Sequence, residues 1–88
     1  MISCKDFNNF PLEKKIKLLY VDGTFVLDIR YYGYKVNLYL LYNYYVEVFY
    51  NHKLDKIEKI IPMDRTSSRV KFYADQINLP FDYYSSNS

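Results

Sequence analysis

The chain has 88 residues, half of them hydrophobic and a quarter charged, with 12 Lys and Arg against 10 Asp and Glu. That length suits one small domain with a thin core, and the composition excludes a disordered chain. A net charge of +2 is too mild to require a polyanionic partner.

Cys4 is the only cysteine, which excludes an internal disulfide and fits a reducing compartment. The first ten residues include Lys5 and Asp6 and do not read as a secretory leader. The longest uncharged run, residues 36–46, is too short for a membrane helix. A cytoplasmic protein without membrane contact is expected.

Residues 1–9 read as a loose arm. "FPLEKKIKLLYVDG" then predicts a short helix, with Pro11 in its first turn, Glu13 near its positive end and Gly23 as its left-handed stop. Leu12, Ile16, Leu19 and Tyr20 recur at helical spacing and are expected to face the core.

Three strands follow, each with period-two alternation and β-branched or aromatic enrichment. In "TFVLDIRYY" the inward set is Phe25, Leu27, Ile29 and Tyr31, and in "KVNLYLLY" it is Val36, Leu38, Leu40 and Tyr42. In "YVEVFYN" it is Val46, Val48 and Tyr50. A two-residue loop at Gly33-Tyr34 keeps the first two sets on one face. A three-residue loop, Tyr42-Asn43-Tyr44, keeps the third with them by setting Leu40 against Val46 and Leu38 against Val48.

"KIEKIIP" fits a fourth strand, although Leu54, Ile57, Ile60 and Ile61 also fit a helical stripe. A final helix is expected over residues 66–78, capped by Asp64 or Thr66, with Val70, Tyr73, Ala74 and Ile77 inward and Arg69, Asp75 and Gln76 in water. Residues 81–88 read as a frayed tail. The expected fold is one α+β domain: a four-stranded antiparallel meander sheet with an N-terminal and a C-terminal helix packed on one face (α-β-β-β-β-α).

That arrangement leaves the other sheet face open. It gathers Val26, Asp28, Arg30, Tyr32, Asn37, Tyr39, Leu41, Tyr45, Glu47 and Phe49, and six of these ten are apolar or aromatic. An open aromatic face on a small domain suits a protein interface, and a homodimer needs only one such patch. The expected function is therefore a non-enzymatic protein-interaction domain, homo-oligomeric or bound to another protein.

Stacking of single-stranded nucleic acid on the same face is the alternative, disfavoured because Asp28 and Glu47 flank Tyr39. Those two carboxylates also raise a remote alternative, a carboxylate-based hydrolase, but a flat face supplies no cleft for a sugar. With one His and one Cys, no His/Cys metal site forms within the chain, and His52 sits in a polar turn. With only Gly23 and Gly33 there is no glycine-rich phosphate loop. No cofactor is expected.

Overall fold

Ser3 starts the first helix, α1 (Cys4–Asn8), its Oγ accepting the amide of Asp6 at 3.1 Å. The computed structural model of the protein describes residues 1–76. The segment expected to be a loose arm is thus a capped turn of helix, and Phe7 is why it holds. Five residues cannot sustain a helix by backbone bonds alone. The Phe7 ring, however, is fully buried against Leu41, Val46 and Ile60, worth about 1.5–3 kcal/mol.

α2 (Leu12–Asp22) follows Pro11 and runs without a loop into β1 (Gly23–Tyr31). Gly23 is not left-handed as expected, for its φ is −81°. Its role is steric: a Cβ there would lie 2.6 Å from the Leu19 carbonyl oxygen. The helix is also turned from its expected orientation. Lys15 and Leu19 face the sheet, and the Lys15 Nζ donates to the Ile60 carbonyl at 2.8 Å, while Ile16 and Tyr20 remain exposed.

β2 (Tyr34–Leu41), β3 (Tyr44–Asn51) and β4 (Lys56–Pro62) complete an antiparallel sheet in the order β1-β2-β3-β4. The fourth segment is a strand and not the alternative helix, and it ends at Pro62. The first hairpin closes one residue earlier than expected, at Tyr32-Gly33, with Tyr31 opposite Tyr34. This two-residue shift in pairing preserves parity, so Leu27, Ile29, Val36 and Leu38 still share a face. A bulge at Val26 then breaks the alternation: Phe25, expected inward, pairs with Tyr39 on the opposite face.

The second hairpin departs from expectation in a way that changes the whole layout. Its loop is the two residues Tyr42-Asn43, so Leu38 meets Glu47 and Leu40 meets Tyr45. A one-residue change of register turns every side chain of a strand over. Glu47 and Phe49 therefore lie with Val36 and Leu38, and Val46 and Val48 lie on the other side.

Both sides are covered. α3 (Val70–Gln76) packs Val70 and Tyr73 onto the first face, and α1 and α2 pack Phe7 and Leu19 onto the second. The meander and the helices at both ends agree with the sequence. Their placement on a single face does not, because the flipped β3 presents apolar residues to both sides. Val46, Glu47, Val48 and Phe49 are buried in succession.

α3 is shorter than expected at its start. Asp64 Oδ1 accepts both the amide and the hydroxyl of Thr66, capping a turn that precedes the helix rather than the helix itself. The expected helix positions 77–78 and the expected tail, 81–88, lie outside the described residues. Both edge strands carry a one-residue bulge, at Val26 in β1 and at Glu58 in β4. Such bulges twist an edge away from further pairing.

Candidate functional site

The ten residues expected to line one open face are divided between two. Asp28, Arg30, Asn37, Tyr39 and Leu41 lie on the α1–α2 side, where Leu41 is buried beneath the helices. Tyr45, Glu47 and Phe49 lie on the α3 side, the last two buried. Val26 sits in the bulge against the α3-side core, and Tyr32 stands at the hairpin tip. The single aromatic face does not exist, because the sheet has a helix layer on each side.

What remains open is smaller and lies beside α2. A groove of about 340 Å³ separates the helix from the sheet, with Leu19, Val48 and Ile60 as its floor. Ile16 and Tyr20 form its helical wall, and Phe25, Tyr39 and Ile57 its strand wall. Phe25 and Tyr39 meet edge to face with ring centroids 5.7 Å apart. Exposure is 89% at Tyr20, 50% at Phe25 and 38% at Ile16. All three were read as core residues, and the pattern was informative: they carry core spacing but lie in the surface together.

The α3 side holds a closed ionic cluster that the sequence reading missed. Glu47 is fully buried and receives Arg69 through two bonds, Nε to Oε2 at 2.6 Å and Nη2 to Oε1 at 2.8 Å. The Tyr73 hydroxyl donates to the same Oε2 at 2.6 Å. Arg69 was expected in water. A signal for it was present: "YYVEVFY" is a nearly continuous apolar run, the mark of a strand covered on both faces. The lone acid within such a run needs a cation from another element.

Hydrogen bonding to Glu47 raises the guanidinium pKa of Arg69. Burial first, and the bond to Glu47 second, raise the phenol pKa of Tyr73. With its carboxylate held by two bonds from Arg69 and one from Tyr73, the cluster fastens α3 to the sheet.

The remaining chemical candidates are kept apart. Asp28 and Glu47 lie on opposite faces, so the paired-carboxylate arrangement considered for hydrolysis is not formed; Asp28 instead lies 3.8 Å from Lys35. Cys4 adjoins Asn43 and Tyr44 at one end of the sheet. His52 sits at the other end beside Tyr50, on the order of 25 Å away along β3. Partial burial raises the Cys4 thiol pKa, the reverse of an activated thiolate.

Among the described residues no cluster of three or more His, Cys, Asp or Glu side chains could hold a metal ion. No helix among them is long and apolar enough to cross a membrane. Comparison with protein-family models, curated proteins and solved structures finds no match to this chain.

Proposed function

We propose that the protein is a non-enzymatic interaction domain that associates with a second copy of itself through the groove beside α2. The observation that carries this reading is the convergence of Ile16, Tyr20 and Phe25. Each has the spacing of a core residue, each is exposed, and all three border one apolar groove.

Size supports the reading. With Val21, which is 73% exposed on the same helix but outside the groove lining, these side chains expose on the order of 450 Å² of largely apolar surface. A standard interface buries about 800 Å² per partner, a little over half of it apolar. The patch therefore supplies about the apolar share that one subunit contributes to a stable dimer. A twofold contact needs no second surface, since the patch serves both subunits. Edge-to-edge sheet pairing is the main competing geometry, and the bulges at Val26 and Glu58 oppose it.

Sedimentation equilibrium tests the proposal. The wild type is expected to associate in the micromolar range, and Tyr20→Ser and Phe25→Ser to be folded monomers. A wild type that stays monomeric at millimolar concentration refutes the proposal, as does a dimer indifferent to both substitutions.

A further inference from the structure

We propose that the groove beside α2 binds an amphipathic acid, an unbranched alkyl chain ending in a carboxylate, and that this ligand and a second copy of the protein exclude one another. Occupancy requires only the groove, while its effect on assembly rests on the self-association proposed above.

The course of the groove selects the chain. Its lining draws on every strand, from Phe25 in β1 through Tyr39 and Val48 to Ile57 in β4. It therefore crosses the whole sheet, a span of about 14 Å for four strands. An extended ten-carbon chain, with bonds of about 1.5 Å, is about 12 Å long. The volume of about 340 Å³ is at the small end of ligand sites, and the floor is aliphatic.

The strand register selects the head group. Beyond Tyr39 on the same face of β2 comes Asn37, about 7 Å further on, opposite Asp28 on one side and the floor residue Val48 on the other. The next row on that face is Arg30, Lys35 and Tyr50. α2 covers Leu41, which lies the other way along β2, so Asn37 and Arg30 stand on the uncovered rim of the groove.

The charges of this rim do not cancel. Lys35 is matched with Asp28 at 3.8 Å, whereas Arg30 has no ion pair or hydrogen bond among the described residues. The side-chain amide of the half-buried Asn37 has none either. Asp55, toward the other edge of the sheet, is held by the Tyr50 hydroxyl. A free guanidinium and a free amide beside an apolar trough complement a carboxylate, which a guanidinium holds through two parallel bonds. A cationic head group would meet Arg30 repulsively. An alkyl chain in the trough covers Ile16, Tyr20 and Phe25, the side chains that a second copy needs.

The test is a titration of isotopically labelled protein with sodium decanoate below its micelle concentration, followed by proton–nitrogen correlation spectra on protein too dilute to associate. The amides of Gly23, Tyr39 and Val48 are expected to shift saturably. Octanoate, with two fewer methylenes to bury, should bind about 5- to 15-fold more weakly. Arg30→Gln changes an exposed side chain and should weaken decanoate about 3- to 10-fold with the thermal midpoint unchanged, while Arg30→Lys should lose less. Decyltrimethylammonium should bind about 10-fold more weakly than decanoate.

Absence of saturable shifts overturns the proposal. So does equal affinity for the two head groups, or an Arg30→Gln variant that binds decanoate as the wild type does. Sedimentation separates this site from self-association. Saturating decanoate is expected to convert associated protein to monomer, and dimers that persist with decanoate bound refute the exclusion. A wild type that binds decanoate yet never associates upholds the ligand site and refutes self-association alone.

Discussion

Removing the charge on Glu47 is expected to be the most damaging conservative change in the protein. Glu47→Gln keeps the shape of a fully buried side chain but leaves the Arg69 guanidinium, whose side chain is 17% exposed, without its counter-charge. Breaking a buried pair from one side costs about 3–5 kcal/mol. An 88-residue domain has about 4–13 kcal/mol of total stability, so the variant sits near the edge of folding. Tyr73→Phe removes one hydrogen bond to the carboxylate and should cost less, about 1.5–3 kcal/mol.

The informative comparison is the triple variant Glu47→Leu, Arg69→Met, Tyr73→Phe. It removes the desolvated charges together, and such replacements are often neutral or stabilising by about 1–4 kcal/mol. Urea unfolding followed by far-ultraviolet circular dichroism and tyrosine fluorescence reads all three, as the chain has no tryptophan. The reasoning fails if Glu47→Gln lies within about 1 kcal/mol of wild type. It fails equally if the triple variant is as unstable as Glu47→Gln alone, because the cost would then lie in shape and not in an orphaned charge.

The two glycines should respond for different reasons. Gly23→Ala forces a methyl to 2.6 Å from the Leu19 carbonyl oxygen and should cost about 1–3 kcal/mol by thermal unfolding. Gly33→Ala meets no atom within 4 Å but takes φ +84°, and should cost about 1–2 kcal/mol from backbone strain alone. Alkaline pH should also unfold the protein. Hydrogen bonds to Asp22 and Asp55 raise the phenols of Tyr42 and Tyr50, and burial raises those of Tyr44 and Tyr73. Because each native value exceeds the unfolded one, the protonated native form is favoured below about pH 10, and that stability is lost as pH rises beyond it. Tyrosinate absorbance should therefore rise together with loss of circular dichroism; independent titration of these phenols in a folded protein would contradict this.

Much of the architecture was legible because it rests on period and punctuation. Alternation in β1 and β2, the stop at Gly23 and Pro62, and the stripe of Val70 and Tyr73 each report local geometry. The register of β3 was not legible in that way. Choosing between a two- and a three-residue loop at Asn43 depended on whether one or two faces would be covered, a tertiary fact that no local pattern contains.

From that single choice came the expected open face and the expected exposure of Glu47 and Phe49, while Arg69 was placed in water by the apolar stripe of its own helix. The docking of α1 was hidden for a related reason, since Phe7, with Met1 and Ile2 the only large apolar residues among the first nine, carries no periodicity. The groove was legible only in retrospect: Ile16, Tyr20 and Phe25 were recognised as apolar and patterned, but the Val26 bulge and the rotation of α2 decide that they end outside.

The four consecutive buried residues of β3 have a dynamic consequence. Each half of the interior, one beneath α3 and one beneath α1 and α2, is too thin to persist alone, and both share β3 as a common wall. Lifting either helix layer exposes one side of that wall and loosens the packing that holds its other side in register. The two layers should therefore open together, with the amides of β2 and β3 exchanging with solvent only through global unfolding. A perturbation felt first at one surface, whether at the groove beside α2 or at the start of α3, is then transmitted to the opposite surface through the stability of a single strand.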